Sequence, residues 1–218
     1  MIWSATLSLR KSEVIIMKKL NVPNTLSLIR VIFVPLFMAA VIFVDPTRGE
    51  GFWQTFGLAA IPAAIFGLTA YTDHLDGKIA RKYNLITDFG KFIDPLADKF
   101  MVFGALIAIL VARADIAPLF VWVAAIIMLR ELAVTSLRLV VASSAGKVVA
   151  ASWWGKVKTA TQCVAILLIL LEPVILYAAP DTFPPLCSYI AMAAMLITTI
   201  GSGIDYMRVY MPYIDTNK

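Results

Sequence analysis

The chain has 218 residues, of which 61% are hydrophobic and 15% are charged, and its formal charge at pH 7 is +5. Soluble domains average about 45–50% apolar and about 25% charged residues, so this composition excludes a disordered chain and argues against a water-soluble enzyme. The mean hydropathy is +0.85. Since a membrane-spanning helix needs about 20 apolar residues, the composition predicts an integral membrane protein of the all-α class.

Apolar runs separated by turn signals predict six transmembrane helices in one domain. The expected helices lie at 24–44, 53–82, 90–112, 116–142, 157–179 and 184–210. An amphipathic juxtamembrane segment at 1–22 precedes the domain at 23–212, and a tail at 213–218 follows it. Met17, which is followed by two lysines, is an alternative start.

The basic residues predict how the helices are oriented. With both termini on one side, the loops at 45–52, 113–115 and 180–183 lie on the other side and carry only Arg48 and Arg113. Membrane proteins concentrate Lys and Arg on the cytoplasmic side. We therefore expect both termini and a polar cavity at the cytoplasmic face of the cell (inner) membrane. Because the Lys and Arg residues are scattered among apolar runs, they do not indicate a nucleic-acid partner.

Four aspartates interrupt the apolar sequence where the second and third predicted helices meet. Asp73 and Asp76 are three residues apart, and Asp94 and Asp98 are four apart, so each pair shares one helix face. A turn around 83–89 makes the two helices antiparallel and brings both pairs to similar depth. Two divalent cations would neutralise the four carboxylates, and oxygen ligands favour Mg²⁺, Mn²⁺ or Ca²⁺.

Glycine and arginine beside the aspartates indicate phosphate chemistry. Gly77 and Gly90 allow a phosphate to approach the backbone, and Arg81 lies one turn after Gly77, where it can fork onto a diphosphate. Paired metals among carboxylates clamp the attacking and leaving oxygens in phosphoryl transfer. The pattern therefore predicts metal-dependent phosphoryl chemistry. The alternatives are capping aspartates, which would explain Asp88, and a cation-coupled transporter whose path follows the four aspartates.

The same residues form a family signature. The run Asp73-x2-Asp76-Gly77-x2-Ala80-Arg81-x8-Gly90-x3-Asp94-x3-Asp98 resembles, at every fixed position, the signature of the CDP-alcohol phosphotransferase family. Members of that family move a phosphatidyl or similar group from a CDP-linked lipid to an alcohol and release CMP. The resemblance implies a membrane enzyme with two Mg²⁺ or Mn²⁺ ions and a homodimeric assembly.

The resemblance also implies roles for individual residues. The expected metal ligands are Asp73, Asp76, Asp94 and Asp98. Asp98 is also the expected general base for the acceptor hydroxyl. The expected CDP-lipid contacts are Asn24, Gly77, Arg81 and Thr87.

Three further segments indicate which alcohol accepts the phosphatidyl group. The chain resembles the phosphatidylglycerophosphate synthases of this family in the segments V-P-N-T-L-S-L-I-R, L-R-E-L-A-V-T-S-L-R and W-G-K-V-K-T. The substrates of those enzymes are CDP-diacylglycerol and sn-glycerol 3-phosphate. On this resemblance Arg138, Lys156 and Lys158 hold the acceptor phosphate, while Arg30 and Arg130 line the site. Other acceptors remain alternatives, namely inositol phosphate, serine, and phosphatidylglycerol giving cardiolipin. For Arg130 an ion pair with Glu131 is the alternative.

Overall fold

The computed structural model describes residues 22–46, 50–82, 88–145, 153–180 and 183–211. The described residues form six α-helices and contain no strand, which confirms the predicted all-α class. In chain order the helices are α1 (Val22–Phe43), α2 (Phe52–Lys82), α3 (Asp88–Ala112), α4 (Ala117–Ala145), α5 (Trp153–Ile175) and α6 (Leu186–Tyr210).

Five of these helices match the predicted ranges to within three residues, and α5 does not. It begins and ends four residues earlier than the range 157–179. Pro173 stands in its last turn, and proline removes a backbone donor and disfavours a continuing helix. The chain then turns, with the Tyr177 backbone nitrogen donating to the Val174 carbonyl at 3.2 Å. The prediction used Pro180 as the stop signal, so it placed the end of the helix too late.

Four described helices are long and apolar enough to cross a membrane. These stretches are Phe52–Thr72, Ala117–Val141, Trp153–Ile175 and Leu186–Tyr210. In α1 the apolar stretch Ser27–Phe43 is shorter. The first half of α3 is interrupted by charged residues: Asp88, Lys91, Asp94, Asp98 and Lys99. The chain thus has the several apolar helices of a multi-pass membrane protein, and crossing by α1 and α3 stays a prediction.

The helices pack in an order that differs from the chain order. Helix α1 packs mainly against α3 and also against α2, while α5 packs against α6 and α2, and α4 packs against α6 and α3. Glycine makes the contact between α1 and α3 close: a β-carbon at Gly104 would lie 2.6 Å from Val34 Cγ1. Small residues at such contacts let membrane helices approach each other and gain van der Waals contact.

Helices α5 and α6 run antiparallel in a fixed register. At one end Ser188 of α6 donates its backbone N–H to Glu172 Oε1 of α5 at 2.9 Å. At the other end a β-carbon at Gly155 of α5 would lie 3.0 Å from the Tyr206 hydroxyl of α6. The two contacts involve residues near opposite ends of both helices, so the pair is aligned along its whole length.

Candidate active site

The aspartate signature lies at the end of α2 and the beginning of α3. Asp73 is nine residues before Lys82, the last residue of α2, and Asp98 is ten residues after Asp88, the first residue of α3. At about 1.5 Å per residue, both are about 14–15 Å along their helices from the connecting segment 83–87. These similar offsets agree with the expectation that the aspartates meet at one depth.

Most side chains of the predicted metal and CDP-lipid site lie outside the described residues. Those positions are Asn24, Asp73, Asp76, Gly77, Arg81, Thr87 and Asp94. Among the described residues no three His, Cys, Asp or Glu side chains form a metal-binding group. Since three of the four expected ligands are not among those searched, the metal site stays a prediction.

Asp98 is the signature aspartate whose side chain is described. It is exposed on α3, and its carboxylate interacts electrostatically with the Lys158 ammonium of α5. The start of α5 therefore lies near the first turns of α3. This brings the residue expected as general base close to a residue expected to bind the acceptor phosphate.

Lys158 belongs to a buried ion-pair cluster between α4 and α5. Its ammonium donates a hydrogen bond to Glu131 Oε1, and Arg130 Nη1 donates to the same oxygen at 3.1 Å. The ion pair of Arg130 with Glu131 is therefore present in the structure. An ammonium has three N–H donors, so Lys158 keeps others beyond the one that Glu131 accepts.

Arg138 is anchored on α6 by Tyr206. Its Nη2 donates to the Tyr206 hydroxyl, and its guanidinium carbon lies 4.7 Å from the centroid of the Tyr206 ring. The Arg130 guanidinium carbon lies 5.2 Å from the same centroid, and Arg130 Nη2 donates to Ser202 Oγ. The prediction missed Tyr206 and Ser202. Their four-residue spacing, which places two polar groups on one face of an apolar helix, was the available signal.

The two remaining basic residues of the prediction differ in exposure. Lys156 is exposed near the start of α5, whereas Arg30 is buried in α1. The structure thus places Asp98 within electrostatic range of Lys158, and it groups Lys158 with Arg130 and Arg138 through Glu131 and Tyr206. Counted with Asp98, this group has three cationic side chains and two carboxylates, which leaves one excess positive charge. Such an excess favours a phosphate or another anion.

A separate polar network lies at the opposite end of the bundle. Arg113, in the turn between α3 and α4, donates from Nη2 to Glu172 Oε2 and to Asp115 Oδ2, both at 2.7 Å. Glu172 is only 3% exposed and also accepts hydrogen bonds from the Ser188 backbone and hydroxyl. The hydrogen bonds from Arg113 hold the pKa of Asp115 below its ordinary value of 3.8. The network joins the α3–α4 turn to α5 and α6.

A cleft of about 940 Å³ adjoins this network. It is lined by the C-terminal end of α1, the turn at Arg113, and Glu172, Tyr177 and Phe183. This end of the bundle is remote from the aspartates. The polar cavity predicted at the cytoplasmic end would be bounded by side chains outside the described residues, so its shape stays a prediction.

Comparison with known proteins identifies the family. The CDP-alcohol phosphatidyltransferase family matches residues 20–201. The chain is 39% identical over 188 residues to a Bacillus subtilis CDP-diacylglycerol–glycerol-3-phosphate 3-phosphatidyltransferase, a match that covers 85% of this chain and 93% of the relative. It is 37% identical over 188 residues to a probable phosphatidylglycerophosphate synthase of Mycobacterium tuberculosis, covering 86% and 80% of the two chains.

A third relative supports the same grouping. The chain is 38% identical over 154 residues to the Escherichia coli K12 protein that carries the same name as the Bacillus subtilis relative, covering 70% of this chain and 78% of the relative. The family match includes the whole aspartate signature and extends from two residues before α1 into α6. The chain therefore belongs to the CDP-alcohol phosphatidyltransferase family.

Proposed function

We propose that this membrane enzyme is a phosphatidylglycerophosphate synthase, which transfers the phosphatidyl group of CDP-diacylglycerol to sn-glycerol 3-phosphate and releases CMP. Family membership and the names of relatives at 37–39% identity support the reaction. The observation that carries the choice of acceptor is the electrostatic interaction of Asp98 with Lys158, which belongs to a group of three cations. Arg138 joins this group through the Tyr206 side chain that it shares with Arg130, so the group could supply the charge that an acceptor with its own phosphate needs.

The four aspartates fit a pair of hard divalent cations. Asp73, Asp76, Asp94 and Asp98 offer only carboxylate oxygens, the donor type that Mg²⁺ and Mn²⁺ prefer. When bound, such ions would polarise the phosphoryl oxygens and stabilise the charge of departing CMP. The protein would contribute two helices, with Asp73 and Asp98 at similar offsets from the segment that connects them.

Asp98 acts as the general base in this mechanism. Its carboxylate takes the proton of an acceptor hydroxyl, and that oxygen forms a bond to the phosphorus that bears the diacylglycerol. The bond from this phosphorus to the CMP oxygen breaks, and CMP leaves with the electron pair. Asp98 then loses its proton to water. Asn24, Gly77, Arg81 and Thr87 would hold the CDP-lipid during these steps.

The acceptor phosphate would bind to Arg138, Lys156 and the free donors of Lys158, with Arg30 and Arg130 lining the site. Arg138 and Lys156 are both exposed, so they can reach a soluble substrate. We place the site and both termini at the cytoplasmic face of the inner membrane, where glycerol 3-phosphate is dissolved. A homodimer is proposed on family resemblance.

CMP release from the purified protein in detergent tests the proposal. The protein is supplied with CDP-diacylglycerol and Mg²⁺, and with glycerol 3-phosphate, inositol phosphate, serine or phosphatidylglycerol in separate reactions. We expect release with glycerol 3-phosphate alone and loss of that release with EDTA. CMP release with another acceptor would be consistent with the aspartate mechanism and would show that the proposed acceptor is wrong. A transporter would release no CMP with any acceptor, because it does not cleave CDP-diacylglycerol.

A further inference from the structure

Tyr206 has no assigned role in the reaction, yet two predicted site residues meet on its side chain. It is 3% exposed within α6, and the guanidinium carbons of Arg130 and Arg138 lie 5.2 Å and 4.7 Å from the centroid of its ring. Those arginines are eight residues apart on α4, which is about 12 Å along the helix. Since both contact one ring, Tyr206 sets the spacing between the two cations on the α6 side.

The two arginines differ in how many of their donors are used within the protein. Arg130 donates to Glu131 and to Ser202, so its guanidinium is occupied by protein groups. Arg138 is exposed and donates to the Tyr206 hydroxyl from Nη2. A guanidinium has five N–H donors, so this bond fixes the orientation of Arg138 and leaves donors for an anion.

Fixing Arg138 beforehand favours anion binding. A long arginine side chain loses rotamer freedom when it orders on a ligand, and an anchored one loses less. The ring faces also attract both cations, which offsets part of their mutual repulsion. Gly155 contributes from α5, because a side chain there would press on the Tyr206 hydroxyl from 3.0 Å away.

We propose that Tyr206 is a positioning residue of the acceptor site, which orients Arg138 through its hydroxyl and ring so that Arg138 binds the phosphate of the acceptor. This inference rests on the proposed function for the identity of the acceptor. The recognised chemistry is a phosphate monoester, and Tyr206 acts through Arg138 without touching the substrate.

Tyr206→Phe keeps the ring and removes the hydroxyl, so it tests the hydrogen bond to Arg138. We expect the KM for glycerol 3-phosphate to rise about tenfold, as for the loss of a hydrogen bond to a charged group, while kcat and the KM for CDP-diacylglycerol change by less than about twofold. Gly155→Ala should shift the same KM in the same direction. In the Arg138→Gln background, Tyr206→Phe should cause no further change. Tyr189→Phe, the same chemical change near the other end of α6, is the matched control.

Binding of inorganic phosphate gives a second readout that does not depend on turnover. Phosphate should raise the thermal unfolding midpoint of the wild type and of Tyr189→Phe, and Tyr206→Phe should need about tenfold more phosphate for the same rise. The inference is overturned if Tyr206→Phe matches the wild type in both assays. It is also overturned if both KM values rise equally or if the effect persists without Arg138, because Tyr206 would then be structural.

The failure of this inference is distinguishable from the failure of the proposed function. If the wild type releases no CMP with glycerol 3-phosphate, the proposed acceptor is wrong, and the phosphate titration still decides the role of Tyr206. If the wild type turns over glycerol 3-phosphate and Tyr206→Phe retains its KM, the acceptor stands and the positioning role is wrong.

Discussion

Lys158 of α5 and Glu131 of α4 are hydrogen-bonded to each other, with side chains only 6% and 14% exposed. Because of this pair, the two lysines predicted to bind the acceptor phosphate differ in their surroundings. Lys158 is buried and paired with Glu131, whereas Lys156, two residues earlier, is exposed. A substitution at Lys158 should therefore reduce stability as well as acceptor binding, and one at Lys156 should reduce acceptor binding alone.

Lys156→Ala should raise the KM for glycerol 3-phosphate about tenfold or more, because it removes one charge-assisted contact with the phosphate. Its thermal unfolding midpoint should stay near that of the wild type. Lys158→Met should also raise this KM, and in addition it should lower the free energy of unfolding by about 1.5–3 kcal/mol, because Glu131 loses a buried donor. Steady-state kinetics and thermal unfolding in detergent separate the two effects. Equal stability losses in both variants would contradict this difference.

Asp98→Asn should reduce kcat by about 10²–10⁴, the range that general base catalysis contributes. The amide keeps the size of the side chain but cannot take the hydroxyl proton at neutral pH. Binding of CDP-diacylglycerol, measured by its protection against thermal unfolding, should survive. Turnover close to that of the wild type would show that another group removes the proton.

Gly104→Ala should destabilise the contact between α1 and α3. The added β-carbon would lie 2.6 Å from Val34 Cγ1, and overpacking of this kind costs about 1–3 kcal/mol. Gly57→Ala in α2 is the control, since nothing lies within 4 Å of a β-carbon there and alanine favours a helix. The thermal unfolding midpoint should fall for the first variant and hold or rise for the second. A fall of similar size in both would contradict the packing argument.

Arg113→Ala should be the most destabilising of the substitutions at the far end of the bundle. It leaves the Glu172 carboxylate buried without its cation, and breaking a buried pair this way costs about 3–5 kcal/mol. Asp115→Ala keeps the contact of Arg113 with Glu172 and removes a half-exposed partner, which is worth about 0–1 kcal/mol. Chemical or thermal unfolding of both variants checks the ranking, and the reverse order would contradict it.

Acid should weaken the pair of Arg113 with Asp115. The pKa of Asp115 is lowered in the folded protein, so the stabilisation that its ionised form provides is present above its ordinary pKa of 3.8. It is lost as the pH falls through the lower folded value. The difference in unfolding midpoint between the wild type and Asp115→Asn should therefore be constant above about pH 5 and shrink below pH 3.8. A difference in unfolding midpoint that grows as the pH falls would contradict the predicted direction of the pH dependence.

The sequence predicted the helices and the aspartate signature because both depend on local spacing. Apolar runs end at recognisable turns, and Asp73 and Asp98 acquire matching depth from the helix rise alone. The end of α5 was misplaced because Pro173, inside the last turn, has a stronger effect on the helix than the later Pro180.

The pairings between distant helices were not predictable in the same way. Arg138 and Tyr206 are 68 positions apart, and Lys158 and Glu131 are 27 apart. Which face of α4 meets α5 or α6 depends on the packing of the whole bundle, and a single apolar helix carries little information about it. Glu172 offered a signal that was overlooked, since a carboxylate inside an apolar helix requires a partner.

The antiparallel contact of α5 with α6 couples the positions of side chains at the two ends of this helix pair. Glu172 and Gly155 are 17 residues apart on α5, or about 26 Å, and their partners Ser188 and Tyr206 are a matching 18 residues apart on α6. A slip of one helical turn between these helices would detach the Glu172 carboxylate from the start of α6 and the Tyr206 hydroxyl from Gly155 together. The hydrogen bonds that Ser188 donates to Glu172 at one end of the pair thus help to fix the position of Tyr206, and of the Arg138 guanidinium bonded to it, at the other end.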